Sequence, residues 1–112
     1  MKQDIKSHQT LDENGTPTGG TTTGLGIGIH WQEGPLIDGS TLREPNGACV
    51  EGVIAAALER LEFYQTAAGG TFACAENHEA IEALQEALEH LHRRTERRES
   101  AGVAGTHMRE AA

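Results

Sequence analysis

The sequence predicts an α+β fold: a short N-terminal β-strand segment followed by a long antiparallel α-helical hairpin, assembling as a homo-oligomer. Three observations lead there. Residues 24–32 alternate strictly, with Leu25, Ile27, Ile29 and Trp31 on one face and Gly24, Gly26, Gly28 and His30 on the other, which is the period of a half-buried strand. Residues 49–65 and 75–100 instead place apolar side chains at spacings of three and four, the stripe of an amphipathic helix. Finally, a chain of 112 residues of which 37% are hydrophobic holds too little apolar surface for two helices and one strand to close a core by themselves. Other copies of the chain are expected to supply the rest.

The elements follow in order. Residues 1–23 are polar, rich in Thr and Gly, and carry neither period; Asn14-Gly15 and Gly19-Gly20 read as turns. This stretch is expected to be a flexible N-terminal arm, or to order only on assembly, and residues 24–112 to form a single domain. The glycines on one face of the 24–32 strand permit close approach of another backbone or of a flat ligand. Their spacing is not GxGxxG and opens no helix, so it does not indicate a dinucleotide-binding turn. A loop is expected from Pro35 to Pro45, with a short second strand at Leu36-Ile37, and Asn46-Gly47 punctuates the start of the first helix. That helix runs from Cys49 to Gln65 with its stripe at Val50, Val53, Ile54, Ala57, Leu58, Leu61 and Tyr64. Gly69-Gly70 ends it. The second helix spans Ala75 to Ser100, its stripe formed by Ala80, Ile81, Leu84, Ala87, Leu88 and Leu91. Two helices with a short connection and matching stripes form a hairpin. Gly102 and Gly105 then take the chain out of the helix.

Charge is unevenly spread. The net charge is −8, yet Arg93-Arg94-Thr95-Glu96-Arg97-Arg98 gathers four of the nine basic residues. That stretch, four Arg less one Glu, carries +3 and leaves −11 for the rest. A compact basic patch on an acidic chain suits one anionic ligand better than a polyanion, and guanidinium forks grip phosphate oxygens in pairs. The competing reading is a helix end whose cations face the negative pole of its dipole. Arg94 and Arg98 lie four apart and share a helix face. Asn77 sits seventeen residues before Arg94, about 25 Å away at helical rise, so one subunit cannot bring both to a small ligand. Asn77 can also be read as a helix-start residue satisfying backbone donors. Phe63 lies off the first helix's stripe and offers a ring to stack on a base, or to pack on a neighbouring loop or subunit. Tyr64 and Trp31 read as core.

Several functions are disfavoured by the same residues. His90 and His92 diverge on their helix, and His30, His78 and His107 have no partner at zinc spacing, so no metal is expected. No nucleophile has a recognisable His partner, and Glu82, Glu86 and Glu89 read as a solvated helix face. No apolar run approaches the roughly 20 residues of a membrane span, and Met1-Lys2-Gln3-Asp4 lacks a signal-peptide core; a soluble, intracellular protein that binds neither DNA, RNA nor membrane is expected. Cys49 and Cys74, near the starts of two antiparallel helices, are too far apart for a disulfide and are expected to be buried free thiols.

Taken together, Asn46-Gly47 before the first helix, Phe63-Tyr64-Gln65 at its end, Phe72-Ala73-Cys74-Ala75-Glu76-Asn77 opening the second, and Arg94-Thr95-Glu96-Arg97-Arg98 followed by Gly102-Val103-Ala104-Gly105-Thr106-His107 resemble a phage family. The chain looks like the Thoeris anti-defence proteins, cyclic ADP-ribose sponges that share a helical hairpin with an anti-CBASS cyclic nucleotide sponge. The resemblance covers roughly residues 25–107. It implies a non-enzymatic, cofactor-free phage protein of the host cytoplasm that sequesters a cyclic nucleotide immune signal without cleaving it, so that the Thoeris or CBASS effector is never activated. The implied ligand is a glycocyclic ADP-ribose isomer, with cyclic oligonucleotides taken at a separate site in some members, and the implied assembly is a homo-hexamer. Arg94 and Arg98 then correspond to phosphate contacts, Asn77 to the family's asparagine, and Phe63 to its stacking aromatic. The alternative is a helical oligomerisation or adaptor module that binds no nucleotide.

Overall fold

The computed structural model describes residues 4–38 and 41–102. Its elements are β1 (Lys6–Leu11), β2 (Pro17–Gly24), β3 (Ile27–Trp31), β4 (Ile37–Asp38), β5 (Thr41–Leu42), α1 (Val50–Thr66) and α2 (Ala75–Ser100), with a tight turn over Ala67–Gly70 between the helices. Strands β1, β2 and β3 form a three-stranded antiparallel sheet in sequence order, and β4 pairs with β5 as a separate antiparallel ribbon. The class is α+β, with more sheet than one strand segment. Two compact units result: one carries the strands and reaches Cys49, and the other runs from Val50 to Arg98.

The reading of residues 1–23 as a stretch without regular structure is corrected for its described part. β1 and β2 consist of Lys, Ser, His, Gln, Thr, Pro, Gly and one Leu, so no alternation of apolar residues announces them. They are held by pairing instead. Lys6 faces Thr23, Ser7 faces Thr22 and Gln9 faces Gly20, with a register shift between Thr10 and Leu11. Side-chain hydroxyls reinforce the ladder: Ser7 and Thr22 lie 3.0 Å apart, and Thr18 donates to Thr10 at 3.1 Å. β-Branched Thr fits the pleat, and such cross-strand Thr contacts are the sheet's counterpart of helix i,i+4 pairs. The β1–β2 turn is closed by Asp12, whose carboxylate accepts from Asn14 N at 2.8 Å and Thr16 N at 2.9 Å, an Asx turn.

Gly20 is the sole residue of the buried class among those described. Its φ is 138°, and a Cβ there would lie 2.3 Å from the His8 carbonyl oxygen. Only glycine lets the β1 backbone come so close. The third strand begins later than the alternation suggests. Gly24 pairs with Ile27, so Leu25 and Gly26 form the connecting turn, and Leu25 is 95% exposed rather than part of an apolar face. The bare face that two-residue alternation gave to Gly24 and Gly26 is a turn signal overlooked.

Asn46-Gly47-Ala48 then clasps the end of β3. Ala48 N donates to His30 O at 2.7 Å and Gln32 N to Ala48 O at 3.0 Å, a parallel bridge between Trp31 and Ala48. The Asn46 carboxamide accepts from Glu33 N at 2.7 Å and donates to Glu33 O at 3.2 Å, while Asn46 N donates to Gln32 Oε1 at 2.9 Å. A Cβ on Gly47 would sit 2.5 Å from the Trp31 carbonyl. The Asn-Gly pair therefore does more than end a loop: it fixes the chain against β3 two residues before α1 begins.

The helices lie where the 3.6-residue period places them, α1 displaced by one residue at each end from the expected 49–65 and α2 over the expected 75–100. Val53, Ile54, Leu58 and Leu61 of α1 and Ala80, Ile81, Leu84, Ala87, Leu88 and Leu91 of α2 are half-buried. Neither helix holds a buried residue. Gly102, at φ 74°, follows α2 and donates its N–H to Glu99 O at 3.0 Å, the left-handed stop expected there; residues 103–112 lie outside the described residues, and with them His107. Cys49 and Cys74, expected as buried thiols, are outside any disulfide and both exposed in the single chain: each lies just before a helix, off its half-buried stripe. No helix among the described residues is long and apolar enough to cross a membrane.

Candidate functional site

The last two turns of α1 carry Arg60, Phe63 and Tyr64, at i, i+3 and i+4. That spacing stacks their side chains on one another. The Arg60 guanidinium carbon lies 5.1 Å from the Phe63 ring centroid and 4.9 Å from that of Tyr64, and its Nε donates to the Tyr64 hydroxyl at 3.2 Å. The two rings are 6.1 Å apart and inclined at 51°. At such distances each cation–ring contact contributes roughly 0.5–1 kcal/mol on an exposed surface. The arrangement is a braced aromatic pair with a cation laid over it.

The connection to α2 turns sharply because Ala68 (φ 52°, ψ 42°) and Gly69 (φ 67°, ψ 23°) are both left-handed, followed by Gly70 at φ 88°. For Ala68 this conformation costs about 1–2 kcal/mol. Thr71 offsets part of it, since its hydroxyl and its N–H both donate to Ala68 O, at 2.6 and 3.4 Å. Gln65 then locks the far side: its carboxamide accepts from Cys74 N at 3.1 Å and donates to Cys74 O at 3.2 Å. The end of α1 and the start of α2 are thereby fixed to each other by one side chain.

This geometry brings Phe63 and Asn77, expected separately to serve a ligand, to one hollow of about 460 Å³ lined by Phe63, Tyr64, Ala67, Phe72 and Asn77. Phe72 is 62% and Phe63 52% exposed. Asn77 lies within the first turn of α2 and does not cap it; that role falls to Cys74, whose Sγ accepts from Asn77 N at 3.4 Å. The Asn77 carboxamide instead donates to Phe72 O at 3.5 Å, on the rim of the hollow. A second hollow, of about 370 Å³, lies beside Ala56, Glu59, Arg60 and Phe63, so Phe63 stands as the wall between the two. Three aromatic rings and one carboxamide can take a flat ring and hydrogen-bond its edge.

Arg94 and Arg98 are not part of this constellation. They sit on the same unbroken α2 as Asn77 but toward its other end, with Arg94 exposed and Arg98 half-buried. Arg97 and Arg98 occupy the last turn, where the helix dipole favours cations. Thr95, which continues the apolar stripe, bonds back to Leu91 O at 3.1 Å. Along the exposed side of α2, His78 pairs with Glu82 at 2.6 Å, His90 with Glu86 at 3.6 Å and His92 with Glu96 at 2.6 Å, and Glu89 is likewise exposed. Among the described residues no group of three His, Cys, Asp or Glu side chains could hold a metal ion.

Sequence reasoning overlooked Arg60, Tyr64 and Phe72 as parts of a site. For Arg60 a signal existed, because cation and ring at i and i+3/i+4 on a helix must meet. For Tyr64 the stripe pointed to a core position, yet the ring is 37% exposed. Phe72 is positioned by the left-handed turn before it, which Gly69-Gly70 announces only in outline.

Comparison with known proteins places this chain in a family. The Acb2/Tad1 hairpin domain matches residues 29–96, a span that takes in the end of β3, the clasp at Asn46–Ala48, both hollows and Arg94 but stops short of Arg98. Thoeris anti-defense 1 of Bacillus phage SBSphiJ7 is 40% identical over 79 residues, which make up 70% of this chain and 51% of that protein. The chain thus spans about half the length of the curated relative it matches. With the family's hairpin match covering more than half of the sequence, the chain belongs to the Acb2/Tad1 hairpin-domain family.

Proposed function

We propose that the protein is a phage anti-defence sponge, which binds a cyclic nucleotide immune signal and withholds it from its effector without cleaving it. The observation that carries this reading is the convergence of Phe63 and Asn77 on one aromatic hollow, while two forks suited to phosphate, Arg94 and Arg98, stand seventeen and more residues along the same continuous helix. At a rise of 1.5 Å per residue Arg94 is about 25 Å from Asn77. A small ligand reaches both sets only where the arginine end of one subunit lies beside the hollow of another, so the site is shared and the protein acts as a homo-oligomer, with a hexamer as the assembly we favour. The stripes of α1 and α2, on which no residue is buried in the single chain, support that need for further copies. In the resulting site the base stacks on Phe63, the Asn77 carboxamide reads its edge, and Arg94 and Arg98 neutralise the phosphates. A glycocyclic ADP-ribose isomer is the ligand class we favour, as in blocking Thoeris, with cyclic oligonucleotides of CBASS a second class.

Equilibrium capture requires no general base, nucleophile or metal, only affinity above the effector's. Each charge-assisted phosphate contact is worth about 1.5–3 kcal/mol. The test is capture and release: incubate the protein with glycocyclic ADP-ribose isomers and cyclic di- and trinucleotides, filter, heat the retained protein, and analyse both fractions by mass spectrometry. Intact ligand freed only by heating is the expected result, with Arg94→Ala and Arg98→Ala each lowering affinity about tenfold or more. Ligand left in the filtrate would favour an oligomerisation or adaptor module, and cleaved product would make the protein a phosphodiesterase.

A further inference from the structure

We infer that Arg60 is a ligand contact of its own, an anion-binding residue that serves the hollow at the helix junction from the same subunit. The inference deepens the sponge reading and rests on it.

Four observations carry it. The first is the two adjoining hollows, one lined almost wholly by aromatic carbon and the other by Glu59 and Arg60, with Phe63 common to both. A molecule with a flat base and a charged remainder, which is to say a nucleoside phosphate, has one part suited to each. The second is the fixing of Arg60. Its guanidinium carbon is held over Phe63 and Tyr64 at 5.1 and 4.9 Å, and its Nε is committed to the Tyr64 hydroxyl at 3.2 Å. A guanidinium braced at Nε presents its two terminal nitrogens as a fork, the geometry that grips a phosphate, and little rotamer entropy remains to be lost on binding. The third is charge. Arg60 is the single basic residue of α1, whose other charged groups are Glu51, Glu59 and Glu62; on a chain of net charge −8 it is the one cation that α1 can offer an anion entering beside Phe63. The fourth is the neighbouring carboxylate: Glu59, lining the same hollow, accepts hydrogen bonds and repels a second anion, so it suits the hydroxyls of a sugar next to the phosphate.

Base, sugar and phosphate are thus matched, in order, by Phe63 with Tyr64 and Phe72, by Glu59, and by Arg60. The consequence is specificity for phosphate at the base's own side of the ligand, separate from the contribution of Arg94 and Arg98.

The experiment is isothermal titration of the full-length protein and of Arg60→Gln and Arg60→Lys with two probes, a glycocyclic ADP-ribose isomer and phosphate-free adenosine, together with the mass of each assembly by light scattering. Arg60→Gln is expected to weaken the phosphorylated probe about tenfold or more and to leave adenosine within about twofold, with the assembly mass unchanged. Arg60→Lys, which keeps the charge and loses the fork, should fall between them. Equal losses for both probes would show that Arg60 only braces the rings, and a changed assembly mass would make it an interface residue; either result overturns the inference while the sponge reading stands. Wild-type protein that binds neither probe, nor any cyclic oligonucleotide, overturns both.

Discussion

The strand unit and the helical unit solve the problem of cohesion in opposite ways. The first is bound through its backbone: Gly20 and Gly47 admit main-chain atoms to distances a Cβ would forbid, and Thr hydroxyls, Asp12 and Asn46 tie strand to strand and loop to strand. The second depends on apolar stripes that a single chain covers only in part, with no buried residue on either helix. A unit held by close polar fit can be complete in one copy, whereas a unit held by half-covered Leu and Ile surfaces draws its stability from whatever covers them. One Trp, Trp31, sits in the strand unit, so its fluorescence reports that unit alone, and ellipticity at 222 nm reports α1 and α2.

The largest effect is expected on the helical stripe, where the proposed oligomer would bring another copy. Leu88 is half-buried in the single chain; packed against a neighbouring subunit it becomes a core residue, and Leu88→Ala then costs about 2–5 kcal/mol. The melting temperature at 222 nm should rise with protein concentration in the wild type, and Leu88→Ala should lower it and shift the assembly mass downward at micromolar concentration. A helix melt that is independent of concentration would break the comparison, since the helical unit would then stand without partners.

The next effect belongs to the strand unit. Gly20→Ala places a Cβ against His8 O at a φ of 138°, a conformation that costs a non-glycine residue roughly 1–3 kcal/mol before any clash is counted. The Trp31 transition in urea should move to lower denaturant while the 222 nm transition holds its place. If both signals move together, the two units fold as one.

The same contrast explains what the sequence made legible. Helices α1 and α2 were readable to within a residue because a stripe that must be covered has to repeat at 3.6. β1 and β2 were not, because strands joined by Thr hydroxyls and a buried glycine need no apolar alternation, and Leu25 misled because it prolonged an alternation that ends in a turn. At the candidate site Phe63 and Asn77 were legible as chemistry but not as neighbours: their meeting depends on the left-handed Ala68 and Gly69 and on the Gln65 clamp on Cys74, none of which has a periodic signature. Arg60 could have been found from its spacing to two rings.

A smaller predicted effect most directly tests polar fit as the strand unit's source of cohesion. Thr22 Oγ1 accepts from the Trp31 indole N–H at 2.8 Å and lies 3.0 Å from Ser7 Oγ, so one hydroxyl joins β1, β2 and β3 across the sheet. Thr22→Val keeps the β-branched shape and removes only the hydrogen-bonding oxygen. The expected loss is about 0.5–1.5 kcal/mol, toward the lower end because Trp31 is half-buried and water can take over the indole N–H. The Trp31 unfolding midpoint should fall accordingly and its emission should shift in the native state, with the 222 nm melt unaltered. Ser7→Ala should do less, since Ser7 is exposed and the Trp31 to Thr22 bond survives it. Were Thr22→Val to stabilise the sheet instead, burial would outweigh hydrogen bonding there, and the strand unit would be held by the same apolar forces as the helices, only on a smaller scale.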